Sequence, residues 1–260
     1  MRILNTVMLA ACLTAGGCAS QPAGDIGPTT STTRDESPER MRARVHTELA
    51  ASYYELGNLA IALEEVKEAL RADANYGPAN NVAGLVYARL KEDQLAEESF
   101  LRALRINPAD PDANNNYGLF LCDRKQEPEA IKRFLTAVRN PLYATPERSW
   151  VNAGVCARRS GDIGSAVEYF QQALKLRPNQ SQALYQLADI AYARADYGGA
   201  KMYLNRLTQA AVLSAEMLWL GVRTERRLGD RAAEASYALQ LRNRFPNSRE
   251  AQALRLGQYE

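Results

Sequence analysis

The chain has 260 residues, 46% of them apolar and 24% charged, the balance of an ordinary soluble globular protein. Its 32 basic and 30 acidic residues leave a formal charge of +2, which gives no argument for nucleic acid or an anionic surface as the main partner. A single histidine, His46, excludes a multi-histidine metal site.

The N-terminus reads as a targeting segment. Arg2 supplies a positive charge, and the apolar run from Ile3 to Ala15, broken by Asn5, Thr6 and Thr14, is shorter than the roughly 20 residues a spanning helix needs. It runs into A-G-G-C-A-S at residues 15–20. Small residues before a cysteine, after a short apolar run, resemble a bacterial lipoprotein signal. In such signals the peptidase needs small side chains at the cut, and the thiol takes the diacylglycerol. The resemblance implies that residues 1–17 are removed and that Cys18 becomes the lipidated N-terminus. Cys12, after Leu9-Ala10-Ala11, is a competing site, although cleavage there leaves a very short apolar segment. A plain secretory signal or a short membrane anchor is the alternative reading. Neither cysteine is followed by Asp, which in the same family implies sorting to the outer membrane. Several acyl chains hold firmly there, whereas a single chain binds only marginally. Residues 18–38, rich in Gly, Pro, Ser and Thr without apolar period, read as a flexible linker ahead of a folded region at 39–260.

From there one pattern recurs. Gly84, Ala96, Phe100 and Ala103 lie at helical spacings on two short amphipathic helices joined by a polar turn, and Asn107-Pro108 closes the unit. Gly118, Ala130, Phe134 and Ala137 repeat it 34 residues on, and Gly154, Ala166, Phe170 and Ala173 a further 36 on. Ala188, Ala200 and Leu204 follow after 34 more, while Ala50, Ala62, Val66 and Ala69 precede the first set by 34. Gly221, Ala233 and Tyr237 carry a weaker sixth copy, and E-A-Q-A-L-R-L at 250–256 suits a capping helix. Small residues mark close backbone approach, and the aromatic side chains fill the gap between helices. The two extra residues after Ala137 predict a longer loop between the third and fourth copies.

This periodicity resembles the tetratricopeptide repeat family over residues 43–247. The resemblance implies an all-α solenoid of about six helix-turn-helix repeats, wound as a right-handed superhelix around a concave groove lined by first helices. In that family, fixed first-helix positions face the groove. Here they nominate Tyr54, Asn81, Leu85, Asn115, Leu119, Val151, Val155 and Arg158 as peptide-binding, a mixture of apolar and amide side chains that suits an extended peptide. The Asn114-Asn115-Asn116 run offers either a ladder for a bound backbone or simple packing against the next repeat. The Lys/Arg clamp for chaperone C-termini is not matched.

Nothing in the chain reads as catalytic. His46 has no serine near it in sequence and reads as a partly exposed helix residue; the pairs Glu64/Glu65 and Glu97/Glu98 read as solvated faces. Gly198-Gly199 reads as a turn between helices, not a phosphate cradle. No metal, cofactor or nucleic acid is implied. Cys122 and Cys156 fall on first helices of adjacent repeats. In an oxidising compartment they suit a disulfide between repeats, or else two small buried apolar side chains. Their two-place difference in repeat register argues for side chains that point apart.

A narrower resemblance lies in N-N-N-Y-G-L-F-L-C at 114–122 and R-N-P-L-Y-A-T-P-E-R-S-W-V-N-A-G-V-C-A-R-R-S-G-D at 139–162, taken with Cys18 and the linker. Together these look like the type IV pilus biogenesis and stability lipoproteins. That resemblance implies an outer-membrane pilotin, lipid-anchored on the periplasmic face and carried by the lipoprotein export machinery. It would bind subunits of the pilus secretin and promote their localisation and multimerisation. The alternatives are a lipid-anchored scaffold for cell-wall enzymes and a factor that stabilises the pilus fibre.

Overall fold

The computed structural model describes residues 36–259, so Cys12, Cys18, the signal and most of the linker lie outside the described residues. Residues 37–259 form one compact unit of thirteen helices, with no strand among the described residues. Six antiparallel pairs are α1 (Pro38–Glu55) with α2 (Leu59–Ala72), α3 (Gly77–Leu90) with α4 (Asp93–Ile106), and α5 (Pro111–Asp123) with α6 (Glu127–Ala137). They continue as α7 (Pro146–Arg159) with α8 (Ile163–Leu176), α9 (Ser181–Ala193) with α10 (Tyr197–Ala210), and α11 (Ala215–Leu228) with α12 (Arg231–Arg244). A short α13 (Arg249–Leu256) covers the last pair through Ala251, which is fully buried.

Within each pair one close approach sets the packing. A Cβ placed on Gly84, Gly118, Gly154 or Gly221 would lie 2.6–2.8 Å from a ring carbon of Phe100, Phe134, Phe170 or Tyr237 respectively. Each aromatic ring stands 16 residues after its glycine. In the first and fifth pairs the same two places hold Ala50 with Val66 and Ala188 with Leu204, all buried. The methyl group gained on the first helix is offset by volume lost on the second, which keeps the helices at one spacing along the stack.

The corners repeat as strictly. Gly57, Lys91, Lys125, Gly161, Ala195 and Gly229 all have φ between 60° and 85°, the left-handed region that reverses the chain between first and second helices. Gly198 and Gly199, expected in that turn, instead open α10. The corner is Ala195, and Asp196 caps the helix by accepting from the Gly199 N–H at 2.8 Å.

Second-to-first connections span four residues everywhere except between α6 and α7, where residues 138–145 form the longer loop that the spacing predicts. The four-residue connections ahead of α3 and α5 are tied by equivalent amides. The Asn80 Nδ2 donates to the Ala74 and Tyr76 carbonyls at 3.2 and 3.0 Å, and the Asn114 Nδ2 to those of Pro108 and Asp110 at 2.9 and 2.8 Å. At the equivalent place in α7 stands Trp150, packed on Tyr169 with ring centroids 5.7 Å apart, and the longer loop buries Tyr143 instead.

Each odd-numbered helix touches the next odd-numbered helix, whereas no even-numbered helix touches another among the described residues. The odd layer is therefore the tighter one. It forms the inner side of the superhelical stack, and its side chains line the face available to a partner.

Candidate peptide-binding face

Of the eight first-helix residues nominated from sequence, the structure sets five along the inner face. Tyr54 on α1, Leu85 on α3, Leu119 on α5, and Val155 and Arg158 on α7 are half-buried or exposed. Tyr54 carries the Arg89 guanidinium 5.5 Å above its ring. Leu119, 38% exposed, is the barest apolar contact of the row. Arg158 reaches across to α9, where it bonds Gln186 and pairs with Asp189.

Asn81, Asn115 and Val151 lie buried in the seams between first helices. The Asn81 and Asn115 amides are engaged within the chain. The Asn116 Nδ2 donates to the Asn81 Oδ1 at 3.2 Å, and the Asn115 Nδ2 to the Asn116 Oδ1 at 3.3 Å. The Asn115 Oδ1 in turn accepts from the Ser149 Oγ at 2.8 Å and the Asn152 Nδ2 at 2.9 Å, and the Ser149 Oγ accepts from the Tyr143 hydroxyl at 3.2 Å. A polar chain thus crosses three first helices, α3, α5 and α7. It satisfies groups whose burial without partners would cost about 1–3 kcal/mol each. Of the three-asparagine run, Asn114 ties a turn while Asn115 and Asn116 bond between helices. This is the packing role, and no ladder of free amides faces the groove.

Cys122 and Cys156 form a disulfide between α5 and α7, with Cα atoms 5.9 Å apart. The expectation that a two-place offset turns the side chains apart is corrected by the stacking. Successive first helices are related by an approximate translation along the stack, so equivalent positions point the same way and cannot face one another. Two places on an α-helix amount to about 200°, which brings the far side of α5 against the near side of α7. Next to the pair, the Arg159 guanidinium bonds the Asp123 carboxylate at 2.9 Å.

The His46 Nδ1–H donates to the Glu65 carboxylate at 2.6 Å, joining α1 to α2. No group of three or more His, Cys, Asp or Glu residues is placed to hold a metal ion among the described residues. No described helix is long and apolar enough to cross a membrane.

The inner face continues beyond the residues nominated on α1 to α7. Tyr185 and Tyr192 on α9 and Trp219 and Arg223 on α11 continue it, all half-buried. Burial pushes the Tyr185 phenol up, with Asp189 and Glu216 adding to the effect. Beyond α13 the chain returns over α11, so that Tyr259 stacks on Trp219 with centroids 5.6 Å apart. A recurring aromatic or arginine on successive first helices is the signal that would have found these residues.

Profiles of the tetratricopeptide repeat match residues 47–113 with 128–181, residues 99–132 and residues 157–218. The chain is 32% identical over 237 residues to the type IV pilus assembly protein PilF of Pseudomonas aeruginosa, a match that covers 91% of each chain. A solved structure of Pseudomonas aeruginosa PilF superposes with a TM-score of 0.76 at 30% identity, covering 84% of this chain and 99% of that one. The crystal structure of PilW, a type IV pilus biogenesis factor, superposes with a TM-score of 0.73 at 32% identity, covering 82% of this chain and 97% of that one. On matches of this length and identity, the chain belongs to the tetratricopeptide repeat family, among the relatives of PilF and PilW.

Proposed function

We propose that this protein is a pilotin: an outer-membrane lipoprotein, anchored on the periplasmic face through an acylated Cys18, that binds subunits of the type IV pilus secretin and promotes their multimerisation. The observation that carries this reading is the match along 91% of both chains to a type IV pilus assembly protein. A match of that length spans the helices that carry the inner face. An inner face with Tyr54, Leu85, Leu119 and Val155 in a row suits a peptide segment of the partner, and Arg158 adds a polar contact at its edge.

The mechanism is tethering. Acyl chains hold the solenoid at the membrane, and residues 18–38 give it reach. A secretin segment bound to the inner face is then confined near its neighbours, which raises its effective concentration and favours ring assembly. The lipoprotein export machinery recognises the acylated cysteine and carries the bound subunit with it. The Cys122–Cys156 disulfide belongs to the same reading, since it requires an oxidising compartment.

The test is a deletion strain, complemented with the wild-type gene or with Cys18→Ala, in which heat-resistant secretin multimers are followed by blot. Deletion is expected to abolish multimers and leave monomers in the wrong membrane. Cys18→Ala is expected to leave the fold intact, mislocalise the protein and lower the multimers. Normal multimers with lost surface pili would overturn the pilotin reading in favour of a fibre-stabilising role. Co-purification of peptidoglycan enzymes in place of secretin would favour a cell-wall scaffold.

A further inference from the structure

The two edges of the stack differ. First helices begin, and second helices end, at one edge; the corners between first and second helices lie at the other. At the first edge an apolar side chain stands uncovered in each of four successive repeats. Ile106 closes α4, Leu142 lies in the longer loop, Leu176 closes α8 and Val212 lies between α10 and α11, at intervals of 36, 34 and 36 residues. They are 39%, 89%, 55% and 83% exposed. Leu142 is presented by a pinned loop. The Asn140 Nδ2 donates to the Ala109 carbonyl and the Leu142 N–H to the Asn140 Oδ1, both at 2.9 Å, and the next residue, Tyr143, is buried.

A basic side chain accompanies three of the four. Arg105, Arg139 and Lys175 recur at intervals of 34 and 36 residues, all exposed, and none is in an ion pair among the described residues. The opposite edge does not sustain such a row. Its exposed Leu56 and Leu90 give way at the equivalent places of the next two repeats to Arg124 and Ser160. There Arg124, Arg159 and Arg226 are paired with Asp93, Asp123 and Glu234.

Single exposed apolar side chains are ordinary on any protein. Four at one place in successive repeats, beside unpaired cations, have the chemistry of an interfacial membrane contact: apolar groups enter the acyl boundary, and the cations lie level with lipid phosphates. The entry point of the chain favours a lipid surface over a protein partner. Residues before Ser37, the cap of α1, join the solenoid at this same edge, and Cys18 lies only 19 residues earlier. An anchor at Cys18 therefore draws this edge toward the bilayer ahead of the opposite one, which is about 20 Å away at 1.5 Å per residue of a first helix.

We propose that this edge rests on a bilayer surface containing anionic phospholipid, with Leu142, Leu176 and Val212 in the interface and Arg139 and Lys175 on the headgroups. The inference rests on the anchor of the pilotin reading and deepens it. A solenoid seated on its edge holds the inner face, which runs from edge to edge, upright and open to a partner along the membrane.

The test couples a chain beginning at Cys18, which holds the whole compact unit, to maleimide lipid in vesicles of phosphatidylethanolamine with phosphatidylglycerol. With Cys122 and Cys156 joined, Cys18 is its one free thiol. Leu142→Trp, Val212→Trp or Leu56→Trp is placed in a Trp150→Phe, Trp219→Phe background, and quenching by acyl-brominated lipid is read. Leu142→Trp and Val212→Trp are expected to be quenched about threefold or more relative to Leu56→Trp. That difference is expected to shrink when Arg105, Arg139 and Lys175 are all replaced by Gln, or when phosphatidylcholine replaces the anionic lipid. In the chain with its own tryptophans, coupling is expected to slow amide hydrogen exchange in residues 138–145 and 211–214 but not at the corner around Leu56, which reads the contact even if a variant folds poorly. Equal quenching at both edges, or exchange that changes alike at both, overturns the proposal. Self-association of the uncoupled chain that Leu142→Ser with Val212→Ser abolishes assigns the row to a second copy and also overturns it. The tether here is chemical, so these outcomes do not depend on acylation in cells. An N-terminal mass without acyl chains in the native protein would overturn the anchor of the pilotin reading by itself.

Discussion

A methyl group added to Gly118 has no room. Its Cβ would lie 2.7 Å from the Phe134 ring, although Gly→Ala in an ordinary helix interior gains about 1 kcal/mol. Gly118→Ala is therefore expected to destabilise by about 1–3 kcal/mol, the usual cost of overpacking, read as a lower thermal midpoint. Phe134→Leu in the same chain recreates the Ala188–Leu204 pair of the fifth repeat. The double variant is expected to be more stable than the sum of the two singles by about 1 kcal/mol or more. Strict additivity would mean that the two residues do not set each other's size. The corners give the opposite experiment. Ala195 holds φ at 60° where the equivalent Gly57, Gly161 and Gly229 are unstrained. The left-handed conformation costs a side-chain-bearing residue about 1–2 kcal/mol, against about 0.4–1 kcal/mol of extra unfolded-state entropy for glycine. Ala195→Gly is expected to raise the thermal midpoint, by an amount equivalent to about 0.5–1 kcal/mol. An unchanged or lower midpoint counts against strain at this corner.

Between helices, two links invite measurement. The Tyr117 hydroxyl donates to the Glu97 carboxylate at 2.9 Å, joining α5 to α4, and burial first and this bond second push its pKa up to about 12. A phenol ionises near 10 in the unfolded chain, so the folded protein favours the neutral form. The resulting stability is complete below pH 10 and is lost as pH rises toward 12. Tyr117→Phe is expected to lower stability at pH 8 and to flatten its fall between pH 10 and 11. An unchanged slope would show that Tyr117 is not one of the groups titrating there. The Cys122–Cys156 bond closes a loop of 34 residues, for which chain entropy predicts about 3–4 kcal/mol. Cys122→Ser with Cys156→Ser is expected to lower the midpoint accordingly. Denatured mature protein is expected to show no free thiol from this pair without reductant; two reactive thiols would remove the staple. These links also show what the sequence could carry. Period and residue size announced each helix pair, because the contacts within a pair recur at a fixed separation of 16 residues. Contacts between pairs join non-equivalent positions, such as Asn115 to Ser149 and Asn152, and no self-similarity of the sequence points to them. That is why the asparagines read equally well as ligands or as packing, and why the cysteine offset was misjudged.

At the scale of the whole molecule, each helix pair touches only its neighbours, so stability is a sum of local terms and the ends are the weakest parts. All six pairs and the capping helix were legible from their small, apolar and aromatic residues. The return beyond α13 was not, because Tyr259 reaches α11 by a segment that belongs to no repeat. That return and α13 cover the open side of the last pair, where Leu254, Phe245 and Tyr259 pack against buried Leu241 and its surroundings. Removing residues 247–260 uncovers this surface at one end only. The two tryptophans report on different places, Trp150 on α7 and Trp219 on α11. With Trp150→Phe or Trp219→Phe used to isolate each signal, the truncated chain is expected to unfold in two steps. The Trp219 midpoint should fall by several degrees, and the Trp150 midpoint should move by less than half as much. A fully cooperative domain would instead shift both signals together, because loss of one end would then be felt equally across the stack. Coincident transitions would thus overturn the one-dimensional picture. Separated ones would mean that the end of the inner face at α11 can be lost by local unfolding while the Tyr54–Val155 row stays in place.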